Sequence, residues 1–343
     1  MLMITARQEN ILKLIVGDYT RTAMPVSSDS IARTHGLGVS PATIRNEVAA
    51  LEDAGYLNRP HPSAGSVPLD KAYRLYVESL VALEMGRIPS GVRLEARRRL
   101  SEVERDVDEW ANVAAAILAH LVGNMAIATF PKARESRVRY LELVYLQDFL
   151  AMLIIVLEQA TLRRQLIRLV VPVVTTDLEM STNKIRSELL GLTRRQIESK
   201  SMTLNPLEAA VVEAALLILE DEDRADYRDH YVDGLRNLLS QPEFSKNETV
   251  RPLVEGMEDG TLVQAVLEET PNESVVRVKI GHENRGDMLW PLSVVVARYG
   301  IPHEAVGAVG AVGPTRMEYP KTIASVQFMS TLMSELTESV KSG

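Results

Sequence analysis

The segment from residue 26 to residue 76 limits this chain more than any other: VSSDSIARTHGLGVSPATIRNEVAALEDAGYLNRPHPSAGSVPLDKAYRLY. Ser27, Ser28 and Asp29 can cap a short helix over 27–34, with Ile31 and Ala32 facing inward. His35-Gly36-Leu37-Gly38 is a tight turn, where glycine supplies backbone angles that other residues avoid. Ser40-Pro41 then opens a second helix: serine caps orphan N–H groups and proline is pre-set for the first helical position. Ile44, Val48 and Leu51 recur at i, i+4 and i+7, so one face of that helix is buried. The opposite face carries Ala42, Asn46 and Ala49, flanked by Thr43 and Arg45. Small residues let such a helix end approach a major groove, and Asn and Arg can reach base edges bidentately.

Gly55 closes the second helix from the position after its C-cap. Residues 56–59 read as a strand, 60–65 as a turn, and 66–68 as the returning strand. Strand, turn and strand after a recognition helix form the wing of a winged helix-turn-helix. The candidate DNA-binding residues are therefore Ser40, Ala42, Thr43, Arg45 and Asn46 on the helix, with Arg59, His61, Ser63 and Gly65 on the wing. The plainer alternative is a two-helix corner with a hairpin and no ligand. Agreement between cap, turn, small polar face and wing argues against it.

A chain of 343 residues is long enough for two or three domains. It contains no cysteine, which excludes disulfides, thiolate metal sites and cysteine nucleophiles and is compatible with a reducing cytoplasm. Met1-Leu2-Met3-Ile4 runs straight into Thr5-Ala6-Arg7-Gln8-Glu9, which is not the pattern of a signal peptide. The nearest approach to a membrane span, 111–130, contains Asn112, His120, Gly123 and Asn124 and reads as a packed helix. We therefore expect a cytoplasmic protein with no membrane partner. The net charge of −8 looks unfavourable for DNA, but residues 1–88 carry nine basic and nine acidic side chains, so the deficit lies elsewhere. A neutral reading head predicts modest affinity per protomer, so tight binding calls for two heads in a dimer.

Residues 5–18 read as a first helix, with Ile11, Leu14 and Ile15 as its stripe and Thr5 with Gln8 as a capping box. Residues 69–83 form another, and 86–91 break the pattern as a linker. Residues 93–110 read as a charged connecting helix, and 113–125 as an apolar helix. Arg97-Arg98-Arg99 could clamp phosphate, although i,i+4 pairing on a solvated connector is the plainer reading. Strands follow at 138–146, 149–157 and 165–171. From 176 to 255 the reading turns helical, clearest at 177–190 and 206–221. Strand character returns at 274–280, 292–297 and 305–312, and 322–340 is a closing amphipathic helix. Strands on both sides of a helical block imply an α/β domain interrupted by an inserted helical domain, which could serve self-association.

Enzyme chemistry has little support. The histidines form no HExxH or HxH spacing, and no serine lies in a G-x-S-x-G elbow. Gly307 to Gly313 is glycine-rich but has neither the P-loop lysine nor the GxGxxG spacing, so a tightly packed strand is the plain reading. Gly281-His282-Glu283-Asn284 is a polar cluster that could line a pocket, with a hydrogen-bonded loop favoured. No catalytic residue, cofactor or metal is expected.

The motifs as a whole resemble the heat-inducible transcription repressor (HrcA) family. They are Val39-Ser40-Pro41-Ala42-Thr43-Ile44-Arg45-Asn46-Glu47, Gly55-Tyr56-Leu57, His61-Pro62-Ser63-Ala64-Gly65 and Asp70-Lys71-Ala72-Tyr73-Arg74. Gln241-Pro242-Glu243-Phe244, Ile280-Gly281-His282-Glu283-Asn284 and Val309 to Tyr319 continue the likeness in the C-terminal half. The resemblance implies a repressor of chaperone operons that binds an inverted-repeat operator (CIRCE) as a homodimer on double-stranded DNA, its activity maintained by the chaperonin GroEL. It implies an α+β multidomain fold: a winged helix, then a GAF-like α/β domain interrupted by an inserted, mainly helical dimerisation domain. On the patterning above, these occupy 1–86 (winged helix), 87–110 (linker helix), 111–175 with 256–343 (GAF-like) and 176–255 (inserted). The sequence departs from the family at Pro62, where Thr is usual, at Ser66, where Arg is usual, at Leu69, where a small polar residue is usual, and at Ala72, where Gly is usual. The Ser66 departure concerns a wing contact to phosphate or the minor groove.

Overall fold

Thr5 begins the first helix as the spacing predicts: its hydroxyl accepts from the Gln8 N–H at 3.2 Å, while Gln8 Oε1 accepts from the Thr5 N–H at 2.8 Å. The computed structural model describes residues 4–61, 64–81, 88–103, 107–133, 135–158, 162–224, 230–245, 247–271, 273, 275–301 and 305–342. Helix α1 (Ala6–Thr22) buries Ile11, Leu12, Ile15 and Val16 behind α2 (Ser28–Thr34) and α3 (Pro41–Asp53). Ser27 and Ser40 cap the two latter helices, each accepting from an N–H three residues on at 3.1 Å. Strand β1 (Leu57–Asn58) pairs antiparallel with β2 (Val67–Pro68), and Val26 bridges to Ser66, which gives the hairpin a third edge. Helix α4 (Asp70–Val81) follows, burying Ala72, Tyr73, Val77 and Leu80.

The chain divides into two compact units. The first comprises residues 1–130, 229–300 and 307–343, so the winged helix belongs to it. Beyond the winged helix its frame is a sheet with the strand order His230–Asp233, Met125–Thr129, Ala305–Pro314, Leu292–Ile301, Val276–Ile280. Helices Val107–Val122 and Tyr319–Ser342 pack against each other beside it. One hydrophobic cluster runs from Ile11, Ile44 and Tyr73 of the winged helix to Val295, Val309 and Met333 of this frame. The glycine-rich segment lies within the Ala305–Pro314 strand, paired with Met125–Thr129, so its backbone is engaged by neighbours. A Cβ on Gly307 would sit 2.5 Å from the Tyr299 ring, which is the close packing the plain reading expects.

The second unit, residues 131–228 with 301–306, departs from the boundaries read in the sequence. Strands Val138–Gln147, Leu150–Leu157 and Leu162–Arg168 form their own antiparallel meander. Helices Thr175–Leu189, Arg194–Ser199 and Pro206–Arg224 share a separate hydrophobic core with it. The patterning assigned those strands to the GAF-like domain and began the inserted block at 176. Their inward side chains, Leu141, Leu153, Ile155 and Ile167, instead pack with Ile185, Val211 and Leu219. Sequence order does not reveal which sheet a strand joins.

Other elements also differ from the sequence reading. The connector over 93–110 is two helices, Ser90–Ser101 and one beginning at Val107; Trp110 is buried and donates its Nε1–H to the Val103 carbonyl at 2.9 Å. The apolar helix ends at Val122, and Met125–Thr129 is a strand with every residue buried, so it lacks the alternation that would have marked it. The expected linker at 86–91 is described only from Ile88, and helix begins at Ser90. No helix among the described residues is long and apolar enough to cross a membrane.

Candidate nucleic-acid interface

Helix α3 owes its exposed face to its own periodicity. Ile44, Val48 and Leu51 are fully buried, which turns Ala42, Arg45, Asn46 and Ala49 outward at i, i+3, i+4 and i+7. Asn46 is exposed and makes no side-chain hydrogen bond to a described residue, so both edges of its amide are available. Arg45 reaches back to α2, where its Nη2 lies 3.3 Å from Asp29 Oδ1, with both side chains about 60% exposed. Such an exposed pair is weak and can exchange for a phosphate or a base. Thr43 is half-buried, and its hydroxyl meets the Ser40 hydroxyl at 2.9 Å. Ser40 is thus first of all the helix cap, and any DNA contact it makes is additional. Four of these residues (Ala42, Arg45, Asn46 and the half-exposed Thr43) lie on one accessible surface beside the N-terminus of α3.

The wing is organised by a residue to which the sequence assigned no role. Glu52, on the last turn of α3, accepts from the Ser66 hydroxyl at 2.7 Å and from Arg59 Nε at 3.1 Å. Ser66 is 1% exposed, so its hydroxyl is turned inward to Glu52 and does not face a DNA backbone. Arg59 is half-buried and held along α3 by the same carboxylate. His61 is exposed, and its carbonyl accepts from the Ala64 N–H at 2.9 Å to close the turn. Ser63 lies outside the described residues. Gly65 is structural: a Cβ there would come within 2.5 Å of the Val26 carbonyl carbon. Lys71 braces the base of the wing, donating to the Ala54 carbonyl at 2.9 Å with its ammonium 4.1 Å from the centroid of the Tyr56 ring.

The back of the head carries the perturbed groups. Burial pushes the Tyr73 hydroxyl far above its ordinary range, and the hydrogen bonds that Arg74 donates to the Glu283 carboxylate raise its guanidinium above its ordinary value. The polar cluster at 281–284 is a hydrogen-bonded loop: the Asn284 amide donates to the carbonyls of Gly281, Leu289 and Leu292. No group of three or more His, Cys, Asp or Glu side chains suited to a metal ion occurs among the described residues.

Comparison with known proteins fixes what this head belongs to. Residues 108–323 match the family model for the HrcA protein C-terminal domain. A heat-inducible transcription repressor HrcA from Dehalococcoides mccartyi is 40% identical over 97% of this chain and 96% of its own. The chain belongs to the HrcA family. Its HrcA relatives from a Roseiflexus species and from Thermomicrobium roseum are 35% and 32% identical, over 97% and 99% of this chain and 94% and 97% of theirs. Residues 1–64 match the model of the LexA DNA-binding domain. This HrcA-family chain is therefore a heat-inducible transcription repressor with a DNA-binding domain at its N-terminal end. A crystal structure described as a hypothetical protein at 2.2 Å resolution shares the fold, with a TM-score of 0.61, 20% identity and coverage of 98% of this chain and 99% of its own.

Proposed function

We propose that this repressor binds an inverted-repeat operator of the CIRCE type, upstream of chaperone genes, as a homodimer whose two α3 helices enter successive major grooves. The observation that carries this reading is the open α3 face, where Asn46 and Arg45 stand among small residues. In the proposed docking Asn46 reads a base edge, Arg45 a base or phosphate, and Thr43 a phosphate or a thymine methyl. Ser40 and Ala42 allow close approach of the helix end, and Arg59, His61, Ser63 and Gly65 follow the backbone from the wing.

Dimerisation is assigned to the second unit. Its central strand Leu150–Leu157 buries alternate residues, while Met152, Ile154 and Val156 on its other face stay half-exposed. Leu162, Leu166, Val170, Val171 and Met180 of the same unit are exposed. Apolar surface of this kind supports a protein partner, and the two-fold operator makes a second copy the fitting one. Activity in the cell is proposed to be maintained by the chaperonin GroEL, as the family resemblance implies. The test is an electrophoretic shift with a chaperonin-gene promoter fragment. Wild type should shift the fragment carrying the inverted repeat, and Asn46→Ala should lose preference at one base position per half-site.

A further inference from the structure

Four motifs have no part in reading DNA, yet they meet at the back of the reading head. Asp70 and Arg74 project from α4. Arg74 forms a two-pronged pair with Glu283, its Nε donating to Oε1 at 2.8 Å and its Nη2 to Oε2, and Nη2 also donates to the Val278 carbonyl at 2.7 Å. Asp70 accepts from the His282 backbone N–H at 2.9 Å and lies 2.8 Å from His282 Nδ1. Gly281 has φ +52°, and a Cβ there would collide with the Asp70 carboxylate, so the loop backbone presses directly on α4. A second cluster grips the end of α1. Arg316, its side chain 12% exposed, pairs with both carboxylate oxygens of Glu243, donates to Gln241 Oε1 at 2.8 Å and donates to the Thr20 carbonyl at 3.2 Å. The rings of Tyr73, on α4, and Tyr319, of the frame, also meet across this boundary, with centroids 5.9 Å apart.

We infer that these two clusters are a clamp that fixes the orientation of the reading head on the strand frame, and that this orientation sets which half-site spacing the repressor accepts. The clamp engages α4 and the C-terminal end of α1, while Ala42, Arg45 and Asn46 on α3 stay exposed. It therefore holds the head from behind and leaves the DNA face open, which is the arrangement of a positioning device and not of an autoinhibitory one. The bidentate Arg74–Glu283 pair joins head to frame and specifies direction as well as distance, and Arg316, itself held by Glu243, adds a second point of attachment at the Thr20 carbonyl, so the head is restrained against swivelling. A dimer with clamped heads binds its second half-site at a high effective concentration only when the spacing matches. Asp70, Arg74, His282, Glu283 and Arg316 are thus positioning residues for operator recognition. The spacing part of this inference rests on the dimeric reading above.

Two measurements test it on the full-length protein. The chain has no cysteine, so Asn58→Cys accepts a single dye on the exposed side of β1. Fluorescence anisotropy decay without DNA should show the head tumbling with the larger body. Glu283→Gln combined with Arg316→Ala should add a fast component, and Arg74→Glu paired with Glu283→Arg should suppress it relative to Glu283→Arg alone. Asp70→Asn, a milder change, serves if the double variant does not fold. In the second measurement, wild type should prefer its native spacing by tenfold or more over repeats offset by half a helical turn, about 5 base pairs. The clamp variants should lose that preference while binding an isolated half-site with unchanged affinity. Folded variants that tumble as wild type does, or that keep its spacing preference, overturn the clamp. Failure of wild type to bind any inverted repeat would count against the operator reading, and the anisotropy decay would still decide the clamp.

Discussion

Glu52 is the sharpest place to perturb the reading head, because one carboxylate holds both the wing and a cation. Glu52→Ala leaves the Ser66 hydroxyl, 1% exposed, without its 2.7 Å acceptor. A buried hydroxyl stripped of its partner costs about 1–3 kcal/mol. The Arg59–Glu52 pair is partly exposed, with 32% and 21% side-chain accessibility, and is screened, so its loss adds only about 0.2–1 kcal/mol. Chemical denaturation should therefore show a loss of about 1–4 kcal/mol. The double variant Glu52→Ala/Ser66→Ala should recover most of the first contribution, since no polar group is then left unpaired. The same substitution frees Arg59 at the wing. If that guanidinium reaches a phosphate, the dependence of log affinity on log salt should steepen by about one unit. A double variant no more stable than Glu52→Ala would refute the orphaned-hydroxyl argument. An unchanged salt slope would show that releasing Arg59 from Glu52 adds no phosphate contact.

Other outcomes follow from the same geometry. Asn46→Ala should cost about 1–3 kcal/mol of discrimination at one base position with little effect on stability, read by competition with single-base operator variants. Gly65→Ala should displace the wing from Val26 and lower both melting temperature and operator affinity, whereas Ala64→Gly should leave the wing in place. Aspartates at Leu166 and Val170 should convert the proposed dimer to a monomer by light scattering while circular dichroism stays native. Burial raises the hydroxyls of Tyr73, Tyr299 and Tyr319 above the ordinary tyrosine range. The folded chain therefore holds these protons where the unfolded chain releases them. The stability they contribute is complete below pH about 10 and falls as pH rises beyond it, so these tyrosines should ionise only with alkaline unfolding in an ultraviolet titration.

The winged helix was legible because its signals are local. Caps at Ser27 and Ser40, the Ile44–Val48–Leu51 stripe and the hairpin each lie within a few residues of what they specify. The exposed face of α3 followed from that stripe alone. Less legible were the features set by distant pairing. Met125–Thr129 looks like a continuation of the apolar helix before it, because a strand covered on both faces loses its period of two. His230–Asp233 has only four residues and is defined by its partner strand, Ala126–Thr129. The strands from Val138 to Arg168 were recognised as strands, but they belong with the helices that follow them, since their inward residues pack with Ile185 and Val211. The partners of Glu52 and Arg316 were not legible for a similar reason: a charged side chain in a helix or turn carries no sequence sign of a partner that lies 14 or 73 residues away.

The repressor is proposed to read an inverted-repeat operator through α3, with chaperonin controlling how much of it can do so. The direct measurement is operator binding after a mild heat pulse, with and without GroEL and ATP, and again with an unrelated unfolded protein as competitor. Heat should abolish the shift of the inverted-repeat fragment, chaperonin should restore it, and the competitor should block the restoration. Binding that ignores the repeat, or a heat-inactivated repressor that chaperonin leaves inactive, would contradict it.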